Sequence, residues 1–275
     1  MVTVALLLAM ADFQADQAEY RAAYELRLKD REGWLAVAGL MWLHEGPQSL
    51  GSGSTCDLKL PASAPKVVGL VTMTNGKVYF SGEEAAKVKL DYSEKSSGFF
   101  TFLEVANLRM EVIQRGARTG LRLWDQDAKS LRDFKGCKWF PASEKWVVKA
   151  KWVAHPAGTT LPITNVLGDT TPTPNPGYVE FTIAGKTCRL EALGDTKTLF
   201  FIFKDETTGK ESYDAGRFLD APGPKDGTVT LDFNKATNPP CAFTAFATCP
   251  LPPKGNGLPV RIDAGEKTHH PGDAR

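Results

Sequence analysis

No stretch of about 18 apolar residues occurs in the 275 residues, so no segment has the length and apolarity of a membrane-crossing helix. Neither sign of charge is in excess. The 33 Lys+Arg against 32 Asp+Glu leave +1, without the basic surplus of a nucleic-acid binder. Histidine is scarce, with four residues, and the five cysteines contain no C-x-x-C pair. No histidine stands at zinc-finger spacing from them, and His44-Glu45 has no second histidine at zincin spacing, so no metal centre is expected. G-x-S-x-G, Walker A and G-x-G-x-x-G are all missing, which removes the nucleophile elbow and the usual nucleotide cradles, and no cofactor is expected. Gly51-Ser52-Gly53-Ser54 has no helical pattern after it and reads as a turn.

What is present is an ordinary globular composition, 42% hydrophobic and 24% charged. Residues 1–11 (MVTVALLLAMA) are apolar and end in an A-x-A-like pattern without a basic flank. They read as a signal remnant, with a short buried element as the alternative. An extracytoplasmic location, periplasmic or secreted, is the corresponding expectation. From Asp12 to Asp30 the pattern is helical: Phe13, Gln17, Tyr20, Tyr24 and Leu28 share one face, and Gly33 sits where a helix would end.

Beyond residue 33 the period changes to two. Strands are expected at 34–40, 56–60, 67–74, 77–80, 99–105, 108–114, 119–125 and 146–153. Asn75-Gly76 between two of them marks a type I′ hairpin turn. TTPTPNP (170–176) reads as a loop and a seam between lobes. Strands follow at 178–183, 187–192, 198–204, 228–233 and 258–262. The expected architecture is all-β, sandwich or barrel-like antiparallel sheets with one N-terminal α-helix packed outside. It divides into a helix at 12–33, a first β lobe at 34–168, a second at 169–267 and a frayed polar tail at 268–275.

Segment 212–267 has the strongest site character, because its prolines stiffen loops that present Asn, Asp and aromatic side chains. The first reading is a pocket for a small polar or anionic ligand, lined by Arg122, Asp125, Tyr213, Arg217, Asn234 and Asn238. An arginine beside aromatics and acids can grip a carboxylate bidentately, or pair internally. The second reading is a hydrolase with Asp232 and Glu266 as paired carboxylates. The third is a structural or interaction protein whose polar groups cap turns. Whether the chain is an enzyme, and its oligomeric state, stay open at this level. Cys241 and Cys249, eight positions apart, suit a short disulfide loop in an oxidising compartment. A Cys–His dyad is weakly indicated, because His269 and His270 lie in the tail.

The stretches GWLAVAGLMWLHEG (33–46), GLRLWD (120–125), KWFPASEKWVVKAKW (138–152), PGYVEFTIAG (176–185), SYDAGRFL (212–219) and DFNKATNPPCAFTAFATCPLPPKGNGLPVRIDAGEK (232–267) together resemble domain-of-unknown-function family 1684. The resemblance extends over nearly the whole chain after the helix. It implies an exported protein and brings no activity with it. Asp214 stands where the family pattern has Gly, and Thr237 where it has Tyr.

Overall fold

A computed structural model describes residues 2–83, 89–91 and 102–269. The first residues of the strand expected at 99–105, and tail residues 270–275 with His270, lie outside them. The chain divides into two compact units, residues 28–134 and residues 1–27 with 135–275. Both are built mainly of antiparallel strands, as the period-two patterning requires.

In the unit of residues 28–134, one sheet runs β1 (Val37–Trp42), β9 (Arg118–Asp125), β8 (Leu108–Arg115), β7 (Phe102–Val105) and β6 (Lys89–Asp91). A second runs β3 (Leu58–Lys59), β2 (Gly46–Gly51), β4 (Gly69–Thr74) and β5 (Lys77–Gly82). Leu50, Val71 and Val78 of the second sheet share a core with Leu103, Met110 and Leu121 of the first, which makes a sandwich. Asn75 and Gly76 have φ of 50° and 73°, both positive as a type I′ turn demands. Residues 34–36 form a 3-10 turn rather than the start of a strand, and Gly33 is extended at φ −71° rather than a helix cap. A five-residue helix, α2 (Lys129–Asp133), follows β9.

In the other unit, a six-stranded sheet runs β16 (Arg217–Pro222), β15 (Thr198–Phe203), β14 (Lys186–Gly194), β13 (Gly177–Ile183), β10 (Val147–Ala154) and β17 (Thr228–Asp232). The two edge strands β16 and β17 approach each other, so the sheet nearly closes into a barrel. Phe181, Leu190, Phe201, Phe203, Leu219 and Leu231 fill it. A two-stranded ribbon, β11 (Thr160–Thr164) with β12 (Thr170–Pro174), is a separate sheet that packs Ile163 against Leu193 and Ile202. The expected loop and seam at 170–176 is therefore corrected. The segment is mostly strand, and β10 on one side of it pairs with β13 on the other. The division between units falls at 134/135 instead. Pro172 and Pro174 occupy alternate positions, and Pro162 pairs with Pro172, so their missing N–H groups point outward, away from the ladder between the two strands.

Helix α1 (Val2–Lys29) is continuous. Its expected face is the one turned inward: Gln17 is buried, and Phe13, Tyr20 and Tyr24 are half-buried. Gln17, Tyr20 and Tyr24, at i, i+3 and i+7, bond in order to Asp232 Oδ2 (2.8 Å), the Lys235 carbonyl (2.8 Å) and the Asn238 carbonyl (3.5 Å). The helix thus runs alongside segment 232–238 and helps fix it.

Candidate functional site

Among the described residues, the largest fully buried side chain is Arg217, at the start of β16. Its guanidinium lies 3.2 Å from Asp205 Oδ1 and donates to the Ile262 carbonyl (3.1 Å) and the Ala264 carbonyl. Asp205 in turn accepts from the Thr207 hydroxyl (2.8 Å) and the Ile262 amide (2.7 Å). Gly216, just before, has φ +95°, and a Cβ there would meet the Phe203 carbonyl at 2.6 Å, so only glycine fits. This knot anchors two chain segments. One is loop 205–212, folded tightly because the Thr207 carbonyl accepts from the amides of Lys210, Glu211 and Ser212. The other is 262–264.

A second knot lies at Glu266, which is also fully enclosed. Its Oε2 accepts the Asn238 amide at 2.7 Å, and Asn238 Nδ2 donates to the Lys267 carbonyl at 2.8 Å. Burial pushes the Glu266 carboxyl up to about 7, against hydrogen bonds from Asn238, Cys137 and Tyr24 that pull it down. Thr268 N then donates to the Glu211 carbonyl (2.9 Å), which brings the chain end back beside loop 205–212.

Between these anchors lies a cavity of about 350 Å³, lined by Gly209, Lys210, Ser212, Tyr213, Asp214, Cys241, Ala242, Thr268 and His269. Tyr213 donates its hydroxyl to the Cys241 carbonyl at 3.0 Å. The Cys241 amide donates to Cys249 Sγ at 3.1 Å. The Cys241 thiol is lowered to about 7, mainly by a hydrogen bond from Cys249, with burial opposing. His269 packs on Phe243, ring centroids 4.9 Å apart. Lys210 and Asp214 put opposite charges on the lining of the same cavity.

The structure distributes the sequence-derived candidates unevenly. Tyr213 lines the cavity. Arg217 does not: burial and its carbonyl and carboxylate partners make it a positioning residue for the loop, which corrects its expected ligand contact. Asn234 is buried and exchanges hydrogen bonds with the Ser143 backbone in both directions at 3.0 Å, and Asn238 holds Glu266 and Lys267, so both are structural. Arg122 and Asp125 sit in the other unit. Arg122 lies over the Trp34 ring (4.9 Å) and near Trp124 (5.8 Å), and Asp125 accepts from Asn107 Nδ2 (2.5 Å) and the Asp127 amide (2.8 Å). The pairing of Asp232 with Glu266 as a hydrolytic dyad also loses its basis. Asp232 caps the 3-10 turn at 233–235 through the Asn234 amide (3.1 Å), and the Glu266 carboxyl is closed to solvent.

All five cysteines are thiols. Cys241 and Cys249, whose spacing suits a short disulfide loop, are neighbours. Lys210 is a cavity residue that sequence reasoning passed over, and Cys241 and His269, weighed there as a disulfide partner and as a weakly indicated dyad histidine, line the same cavity. Nothing in their spacing joins them, because the fold returns residues 268–269 to loop 209–214 through one backbone hydrogen bond.

Comparison with known proteins bears on the same region. The family model described as "Protein of unknown function (DUF1684)" matches residues 132–267. The match begins close to the start of the barrel unit, so stretches 33–46 and 120–125 lie outside it. A solution NMR structure of an uncharacterised protein of Haloarcula marismortui is 33% identical, over 50% of this chain and 78% of that one, with a TM-score of 0.42. No curated protein matches the chain.

Proposed function

The chain belongs to the DUF1684 family of proteins of unknown function, and from the lining of its cavity we propose that it binds a small, charged, polar molecule at 209–214, 241–242 and 268–269. One observation carries the reading. A concave space of about 350 Å³ presents a lysine, a carboxylate, hydroxyls and a thiol together, on loops held by two buried knots. That volume is within the usual range for small-molecule sites, and fixed polar groups on a rigid support supply orientation. Lys210 suits a carboxylate or phosphate on the ligand, and Asp214 suits an ammonium group. Export of the protein is a companion proposal, supported by the apolar run that ends at Ala11.

The test is a thermal-shift series on the full chain with phosphate, citrate, glutamate and S-methylglutathione. A ligand at a hundredfold excess over its Kd is expected to add about 2.7 kcal/mol of stability, seen as a rise in Tm. Lys210→Glu is expected to abolish the rise for the carboxylate-bearing compounds. No shift with any of the four, or an equal shift in the variant, overturns the proposal.

A further inference from the structure

We propose that Cys241 and Cys249 form a redox-active dithiol that exchanges with a small disulfide seated in the cavity, one derived from amino acids and carrying carboxylate and ammonium groups. This inference rests on the binding reading above, and names the substrate class for that site.

The two sulfurs differ in the way an attacking and a resolving thiol must. Cys241 is half-buried and lines the cavity, whereas Cys249 is 4% exposed and stands behind it. Cys249 Sγ lies 3.1 Å from the Cys241 amide nitrogen, one bond of about 1.46 Å from Cys241 Cα, which brings it within reach of the Cys241 side chain. Ordinary thiols are mostly protonated at neutral pH, and attack requires the thiolate. Hydrogen bonding by Cys249 moves Cys241 towards that form. The remaining cysteines differ from this setting. Burial raises Cys188, the Cys56 thiol donates to the Lys66 carbonyl at 3.3 Å, and the Cys137 thiol bonds the buried Glu266 carboxyl. The opposite charges of Lys210 and Asp214 match a molecule that bears both an acid and an amine.

The exchange balances without any further reactant. The Cys241 thiolate attacks one sulfur of RS–SR, the S–S bond breaks, and RS⁻ leaves while Cys241–S–SR forms. Cys249 gives its proton to the departing thiolate and attacks Cys241 Sγ. The second RS⁻ is released and the Cys241–Cys249 disulfide forms. Two electrons pass from the protein dithiol to the small disulfide.

The experiment treats the reduced full-length chain with oxidised glutathione and follows intact mass and mapped peptides, alongside the S-methylglutathione thermal shift. The wild type is expected to form the Cys241–Cys249 link without retaining glutathione. Cys249→Ser is expected to accumulate one glutathione on Cys241, severalfold faster than any other cysteine acquires it. Cys241→Ser is expected to form neither product. A wild type that retains glutathione without the link, or that reacts as fast at Cys56 or Cys137, overturns the inference. A thermal shift with S-methylglutathione but no link removes the exchange and leaves the binding site standing. Absence of both removes the two together.

Discussion

Arg217→Met is expected to lower folding stability by about 3–5 kcal/mol, the cost of leaving a buried charge without its partner. The methionine nearly preserves volume but removes every donor in the knot. Asp205 then keeps its negative charge in an enclosed site, with only the Thr207 and Thr208 hydroxyls and the Ile262 amide to oppose it. The Ile262 and Ala264 carbonyls lose their guanidinium partner as well. Urea denaturation read through amide exchange of β15 and β16 measures the loss directly. Asp205→Asn combined with Arg217→Met is expected to cost less than the sum of the two single changes, because the second change removes the stranded charge. A loss below about 1 kcal/mol in Arg217→Met contradicts the role of Arg217 as anchor of the cavity loop.

The second large effect is a dependence on pH. Glu266 has its ordinary carboxyl value of 4.5 in the unfolded chain and about 7 in the folded one, because burial penalises its anion. Between these values the unfolded chain gives up a proton that the folded chain keeps. Stability from this group is therefore complete below pH 4.5, falls as pH rises, and is gone above about 7. The shift corresponds to about 3 kcal/mol at 1.36 kcal/mol per pH unit. Glu266→Gln keeps an oxygen to accept the Asn238 amide and cannot ionise. The variant is expected to be more stable than wild type at pH 8 by about that amount, and close to it at pH 4.5. The measurement is the difference between the two proteins' denaturation midpoints across pH 4 to 8, which cancels the other titrating groups. A difference that stays constant with pH contradicts a buried, proton-holding Glu266.

Much of the fold is legible in the sequence because its strands alternate. Gly177–Ile183 buries every second residue, and Asn75-Gly76 can form little but the turn it does form. Two departures have physical causes. Leu258, Val260 and Ile262 alternate in burial as expected, yet the segment is not a ladder strand. Its amides and carbonyls reach Lys204 and Glu206 in a loop, so period two reports burial and not pairing. In β9, Arg122 and Trp124 are buried together with Leu121 and Leu123, because the tryptophan rings cover the guanidinium. The site was legible as a segment and not as residues. The polar density of 212–267 marks the right part of the chain, but Asn234, Asn238, Asp232 and Glu266 use that polarity to hold the backbone. The side chains on the cavity come from three places whose meeting depends on tertiary bonds that no local spacing encodes.

The central claim is that Cys241 is the accessible, reactive thiol of a ligand cavity. Iodoacetamide labelling of the folded, reduced chain at pH 7, with rates resolved for each cysteine by peptide mass, tests it most directly. Cys241 is expected to be labelled severalfold faster than Cys56 or Cys137, and far faster than buried Cys188 and Cys249. S-methylglutathione is expected to slow Cys241 alone. Labelling of Cys56 or Cys137 ahead of Cys241, or of Cys241 at a rate that S-methylglutathione leaves unchanged, contradicts the account.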